Sequence, residues 1–363
     1  QVAAFCLVFA VAVLFMLGLV MIFNTSSADV IDHNALGGTH QALMKQLIYG
    51  FVGSGVAWGV WRMGYQQFLR ISPFLLAVLT LFLGLVLLPG VGREINGARR
   101  WLQFAGFSLQ PSEFVKYVIP AFGIYYLQKS GPLQTFSQFV KVAALLSVPL
   151  LLILVEPNHG TAGVVGLSLL LLCLLLRVPF RYWGWPLVVL LALLAFSAYQ
   201  MPYVAARFTA YLSPEKDLMG KGHQPYQAKI AVGAGQLYGR GPGKSLQKLS
   251  YLPEAQNDYI AAIYAEEFGF LGICVLLILY LLVAVASFSL ACLAKDPSAL
   301  CVGACIFFLF SFQTFLNLGV VSGLLPSTGL NLPFFSQGGS SLIANLMGIG
   351  LLMSLEDSDE MCT

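Results

Sequence analysis

Two acids stand four residues apart in the segment YLPEAQNDYI, Glu254 and Asp258, at the foot of a long apolar run. If that turn is helical, they share a face. Such acids suit the positive end of the helix dipole. They equally suit a base or a cation ligand at the mouth of a membrane cavity. In NGARRWL, Arg99 and Arg100 are adjacent to Trp101. They fit interfacial anchoring, and they fit bidentate binding of phosphate oxygens. In PSEFVK, Pro111 and Ser112 read as a helix start, with Glu113 and Lys116 three apart and so able to pair. Lys116 lies inside an apolar run, where a cation needs a partner or a cavity. EPNHGT places Glu156 at the end of one apolar run and His159 before the next.

GRGPGKS, Gly239 to Ser245, looks like a phosphate loop but has Tyr238 where the Walker pattern needs glycine. A basic loop able to touch an anion through Arg240, Lys244 and backbone N–H groups is the better reading. Leu325 to Ser341 mixes apolar, Gly and Ser residues without charge. It reads either as a re-entrant loop lining a cavity, with Ser336, Gly338 and Gly339 as candidate contacts, or as an ordinary surface loop. The four histidines, His33, His40, His159 and His223, fall in expected outer loops and read as solvated. The seven cysteines have no metal-ligand spacing and mostly sit in apolar runs.

The elements that must carry these groups follow from composition. Of 363 residues, 58% are hydrophobic and 10% are charged, with a mean hydropathy of +0.81. Soluble proteins carry roughly 25% charged residues. A soluble enzyme and a disordered chain are both excluded. The fold expected is all-α, a polytopic integral membrane bundle with about ten transmembrane helices. The spans are Val2–Phe23, Gln46–Trp61, Ile71–Val91, Phe114–Leu127, Phe139–Val155, Thr161–Leu176, Tyr182–Val204, Phe268–Leu293, Ala299–Gly323 and Leu342–Leu355. They form a single domain over residues 1–363, with a large extracytoplasmic loop, about 202–258, between spans 7 and 8. If the termini are cytoplasmic, seven Lys and Arg lie inside and twelve outside. The positive-inside rule discounts the long loop, which holds seven of those twelve. Charge alone therefore leaves the orientation open, and one face keeps many cations.

Taken together and in order, NGARRWL, QPSEFVK, EPNHGTA, QAKIAVGAGQLYGRGPGKSLQKLSYLPEA, NDYIAAIYAEEFGFLG and NLGVVSGLLPSTGLNLPFFSQGGSS resemble blocks of the SEDS family (shape, elongation, division and sporulation proteins). VGREINGARRWL and LPFFSQGGSS resemble its division branch, FtsW, more than its elongation branch, RodA. The resemblance implies a ten-span bundle in the bacterial cytoplasmic membrane, with both termini cytoplasmic and the active face outside. It implies an inverting peptidoglycan glycosyltransferase that polymerises lipid II and releases undecaprenyl diphosphate. Asp258 matches the family's essential aspartate, and Glu254 is the other acid of that block. Gln256 and Asn257 stand where the family carries His-Thr, and Asn158 where it carries Asp.

On this reading Asp258 takes the acceptor proton or ligates a divalent cation, Mg or Mn. Substrate contacts are expected from Arg99, Arg100, Ser112, Glu113, Lys116, Glu156, Lys244, Glu254, Ser336, Gly338 and Gly339. The partners implied are lipid II, a class B penicillin-binding transpeptidase and other division proteins, with no nucleic acid. The rival readings are a flippase for the same lipid and a non-catalytic scaffold for the transpeptidase.

Overall fold

A computed structural model of the chain describes residues 1–33, 40–95, 98–104, 107–131, 133, 135–200, 211, 222–249 and 256–357. Glu254 lies outside the described residues. The helices are α1 (Val2–His33), α2 (His40–Met63), α3 (Tyr65–Leu87), α4 (Pro111–Ser130), α5 (Phe136–Val155), α6 (His159–Leu175), α7 (Phe180–Gln200), α8 (His223–Gly235), α9 (Ile260–Leu293), α10 (Pro297–Val321) and α11 (Gly339–Asp357). Six contain segments long and apolar enough to cross a membrane: Val2–Ser27, Tyr65–Leu87, Phe136–Val155, Ile260–Leu293, Pro297–Val321 and Gly339–Glu356. Helix α6 and the apolar part of α7 are shorter. Helices α2 and α4 are long, at 24 and 20 residues, but more polar. In α4 the polar residues are those that sequence had marked for chemistry.

The segment after α3 was expected to be a loop and forms a small antiparallel sheet. Its strands β1 (Gly92–Ile95), β2 (Ala98–Phe104) and β3 (Phe107–Leu109) pair in the order β1-β2-β3. Strands this short carry too few alternations to stand out beside long apolar helices. The end of β3 is tied to the start of α11. Ser340 Oγ accepts from the Gln110 amide at 2.9 Å and donates to the Ser108 carbonyl at 3.2 Å.

Local chemistry sets the helix ends. Pro111 occupies the first turn of α4, where its missing N–H costs nothing. Thr135 and Gln138 close a capping box on α5, and Asp296 caps α10 at the Ser298 amide. Small residues let helices touch. A Cβ on Gly53 of α2 would strike Leu346 of α11, and one on Gly350 of α11 would strike the Ala57 carbonyl. Helix α9 breaks at Gly269, whose φ of 67° and ψ of −162° are non-helical.

The segment between α10 and α11 is irregular yet buried at Leu330, Leu332, Phe334, Phe335 and Ser336. Its carbonyls accept from side chains of the bundle. Gln313 donates to Asn331 at 2.8 Å, Asn317 to Leu330 at 2.8 Å, and Tyr280 to Pro333 at 2.6 Å. Irregular backbone is tolerated at this depth only when protein satisfies it, as here.

Candidate functional site

Asp258 sits in the turn just before α9 and is half-buried. The helix begins at Ile260, so the acid precedes the first turn instead of riding on it. Its carbonyl accepts from Asn317 Nδ2 at 2.9 Å, the same amide nitrogen that holds Leu330. Four residues earlier on α10, Gln313 Oε1 accepts from Lys116 Nζ at 2.9 Å. Lys116 also pairs with Glu113 at 2.7 Å. Lys116 and Glu113 are 1% and 6% exposed, so this ion pair is interior and two of the three lysine donors are engaged. Beside them Ser112, fully buried, accepts from Asn158 Nδ2 at 3.3 Å. Asn158 also caps α6 through the Thr161 amide.

The two adjacent arginines part company at a β-bulge: Arg99 is matched to Glu94 and Trp101 to Arg93, which leaves Arg100 as the extra residue of β2. Arg99 is 41% exposed and pairs with the exposed Glu94 at 3.2 Å. Arg100 turns inward and donates Nε to the Glu156 carbonyl at 3.0 Å and Nη2 to the Pro157 carbonyl. Arg100 therefore binds protein backbone where a phosphate contact was expected.

Glu156 has no solvent exposure, and neither of its carboxylate oxygens receives a hydrogen bond. Burial raises its carboxyl from the usual 4.5 to about 8, against the lowering influence of Arg100. It is a neutral acid at neutral pH.

The other candidate contacts have partners within the chain or lie on its surface. The buried Ser336 serves its own loop, accepting from the Leu332 amide at 2.9 Å. Gly338 and Gly339 are required by packing, since a Cβ on them would strike Asn331 and the Tyr49 ring. The amides of GRGPGKS do meet anions, but these belong to the protein. Gly243 and Ser245 donate to Glu267, at 3.0 and 3.3 Å. Lys244 is exposed on that loop. Glu266 and Glu267, early in α9, are each 1% exposed.

The chain thus brings Asp258, Glu113, Lys116, Gln313, Asn317 and the segment from Leu330 to Gln337 into one hydrogen-bonded network, with Ser112, Asn158, Glu156 and Arg100 alongside α4. Gln313, Asn317, Asn331 and Gln256 were missed by sequence reasoning. Their signal was present: Gln313 and Asn317 are uncharged polar residues four apart in an otherwise apolar run. Among the described residues, no three His, Cys, Asp or Glu side chains come together to hold a metal ion. The divalent cation therefore has no cage among these side chains, and no step below runs through it.

A bundle of apolar helices with buried ions and amides converging inside it defines a multi-pass membrane protein with an interior polar site. Residues 5–361 match the cell cycle protein family of FtsW, RodA and SpoVE, and the chain belongs to that family. A relative from Nitrosomonas europaea, named probable peptidoglycan glycosyltransferase FtsW, is 34% identical over 96% of this chain and 92% of its own. One of the same name from Thioalkalivibrio sulfidiphilus is 38% identical over 96% of this chain and 88% of its own. Among solved structures, a chain described under "Structural coordination of polymerization and crosslinking by a peptidoglycan synthase complex" superposes with TM-score 0.77 at 29% identity, covering 97% of each chain. The rod shape determining protein RodA of Thermus thermophilus superposes with TM-score 0.70 at 28% identity, covering 97% of this chain and 96% of its own.

Proposed function

We propose that this chain is a peptidoglycan glycosyltransferase of the bacterial cytoplasmic membrane, with both termini cytoplasmic and the reaction at the outer face. It transfers glycan from a polyprenyl-diphosphate donor to a sugar hydroxyl of lipid II during division. The names of the relatives support the activity and the division branch. The observation that carries the residue assignment is the place of Asp258. The residue is half-buried in the turn ahead of α9, and its backbone carbonyl is held by Asn317 at the edge of the interior network.

The chemistry asks for little else. Diphosphate is a competent leaving group once its charge is neutralised, so no protonated acid is needed to expel it, unlike in the two-carboxylate glycosidases. The acceptor hydroxyl must lose its proton as the new bond forms, and Asp258 takes it. The hydroxyl oxygen attacks the anomeric carbon, the bond to diphosphate breaks in line, and the electron pair leaves on the diphosphate. One displacement inverts the centre and requires one carboxylate. Arg99 supplies an exposed guanidinium for the diphosphate, and Arg100, held by neutral carbonyls, adds positive potential beside it, while the charge of Lys116 is balanced by Glu113. A divalent cation, Mg or Mn, belongs to the proposal only as a further charge partner of the diphosphate. Polymerisation in EDTA at the parent rate would remove it.

The partner proposed is a class B penicillin-binding transpeptidase, supported by the neighbour described as a complex that couples polymerization and crosslinking. The test uses purified protein, alone and with that partner, and fluorescent lipid II read on a gel. Asp258→Ala is expected to lower polymerisation by roughly 10²-fold or more. Glycan strands at the parent rate from that variant would overturn the assignment.

A further inference from the structure

Glu266 and Glu267 lie early in α9, each 1% exposed, and play no part in the reaction drawn above. Both are bound by the loop that follows α8. Glu266 accepts from the Leu246 and Gln247 amides, each at 3.2 Å, and from Ser245 Oγ, and it forms an ion pair with Arg240 Nη1 at 3.4 Å. Glu267 accepts from the Gly243 amide at 3.0 Å, the Ser245 amide at 3.3 Å and Lys248 Nζ at 3.2 Å. It also accepts from Asn24 Nδ2 on α1, at 2.8 Å and 2.7 Å to its two oxygens. Lys248 closes the ring by donating to Asn24 Oδ1 and the Gly243 carbonyl, both at 2.6 Å. Lys248 has three N–H donors, and all three are directed at these groups.

This arrangement does more than solvate two carboxylates. Two adjacent anions withdrawn from water are costly unless fully bonded, and here they are. The bonds draw on three separate pieces of chain: α1, the loop after α8, and α9. The outer end of α1 makes a second contact of the same kind. Ser26 Oγ lies 3.3 Å from Gln256 Oε1, two residues before Asp258. The Gln256 carbonyl in turn accepts from the Gln337 amide at 3.0 Å. Asn24 and Ser26 thus hold the start of α9 at two points, Glu267 within the helix and Gln256 in the turn before it. Asp258 lies on the stretch between those two points.

We infer that Glu267, with Asn24 and Lys248, is a positioning group for Asp258: a buried clasp that docks the outer end of α1 on α9 and so fixes the approach of the base to the acceptor. The inference rests on the role proposed for Asp258. A clasp that merely held the fold together would lower stability, substrate affinity and rate together. A clasp that aims Asp258 lowers turnover and leaves affinity in place, because binding does not depend on where the base points.

The experiment measures lipid II polymerisation per folded molecule, with protein of each variant purified as a monodisperse peak together with the transpeptidase. Turnover and apparent KM for lipid II are recorded separately. Asn24→Ala and Lys248→Met are expected to lower kcat roughly tenfold with KM within about twofold of the parent. Glu267→Ala is expected to lower it further, and Glu267→Gln, which keeps one oxygen for Asn24, to recover part of the loss. If Glu267→Ala does not fold, Asn24→Ala decides, since that side chain is neutral and its removal leaves the Glu266 contacts intact. Parent kcat in Asn24→Ala, or a loss shared equally between kcat and KM, overturns the inference. Asp258→Ala is run in parallel. If it is inactive while the clasp variants are at parent rate, only the clasp inference fails. If it is active, the role of Asp258 itself fails.

Discussion

Glu156 makes a quantitative prediction because its carboxyl is buried, accepts no hydrogen bond and titrates near 8. Between pH 4.5 and about 8 the folded protein holds this proton and the unfolded chain has released it. The folded state binds more protons in that window, so its stability falls as pH rises through it. The contribution is fully present below pH 4.5 and gone above about 8. At about 1.36 kcal/mol per pH unit, the whole change is roughly 5 kcal/mol. Glu156→Gln keeps the shape of the protonated acid and cannot ionise. Its melting temperature should match the parent at pH 5 and exceed it at pH 9, by roughly 10 °C if the full change is realised. The assay is thermal unfolding in detergent micelles from pH 5 to 9, with the difference between the two proteins isolating this group from all others that titrate. Parallel curves would refute the reasoning, since they would mean that the carboxylate is charged and compensated throughout. Because the parent is protonated at pH 7, the variant should also retain polymerisation there.

The remaining predictions concern the cations. Lys116→Met leaves Glu113 buried without its partner and should cost about 3–5 kcal/mol, read as a lowered melting temperature. Adding Glu113→Leu should restore much of that loss, and a double variant as unstable as the single would refute the pairing argument. Arg99→Ala should weaken lipid II binding at unchanged melting temperature, because the side chain is exposed and its ion pair among the described residues is with an exposed acid. Arg100→Ala should instead lower the melting temperature, because its guanidinium holds the carbonyls of Glu156 and Pro157. A binding assay run beside the melt separates the two arginines.

How far the site was legible depended on the kind of signal. Lys116 announced itself, since a lysine in an apolar run must be paired, and Glu113 stood at the right spacing to pair with it. The irregular segment from Leu325 to Ser341 was legible only in part: a surface loop fitted its composition as well, and its burial against protein emerged in the structure. The burial of Glu266 and Glu267 left no such sign. A helix apolar on every side has no hydrophobic face, so its periodicity cannot tell an inward acid from an outward one. Adjacent arginines likewise read as a pair, because nothing local reveals the bulged strand that sets Arg100 apart from Arg99.

By itself, the sequence determined that the chain is a helical membrane protein, where most of its helices run, and which polar segments interrupt them. Those follow from apolar length and helix-end chemistry, which are local properties of the chain. The tertiary structure decided which anion fills the basic loop, which arginine turns inward, and how Asp258 is joined to α4 through Gln313 and Asn317. Each of those depends on side chains far apart in sequence reaching the same few ångströms, and spacing along one helix carries no record of its neighbours.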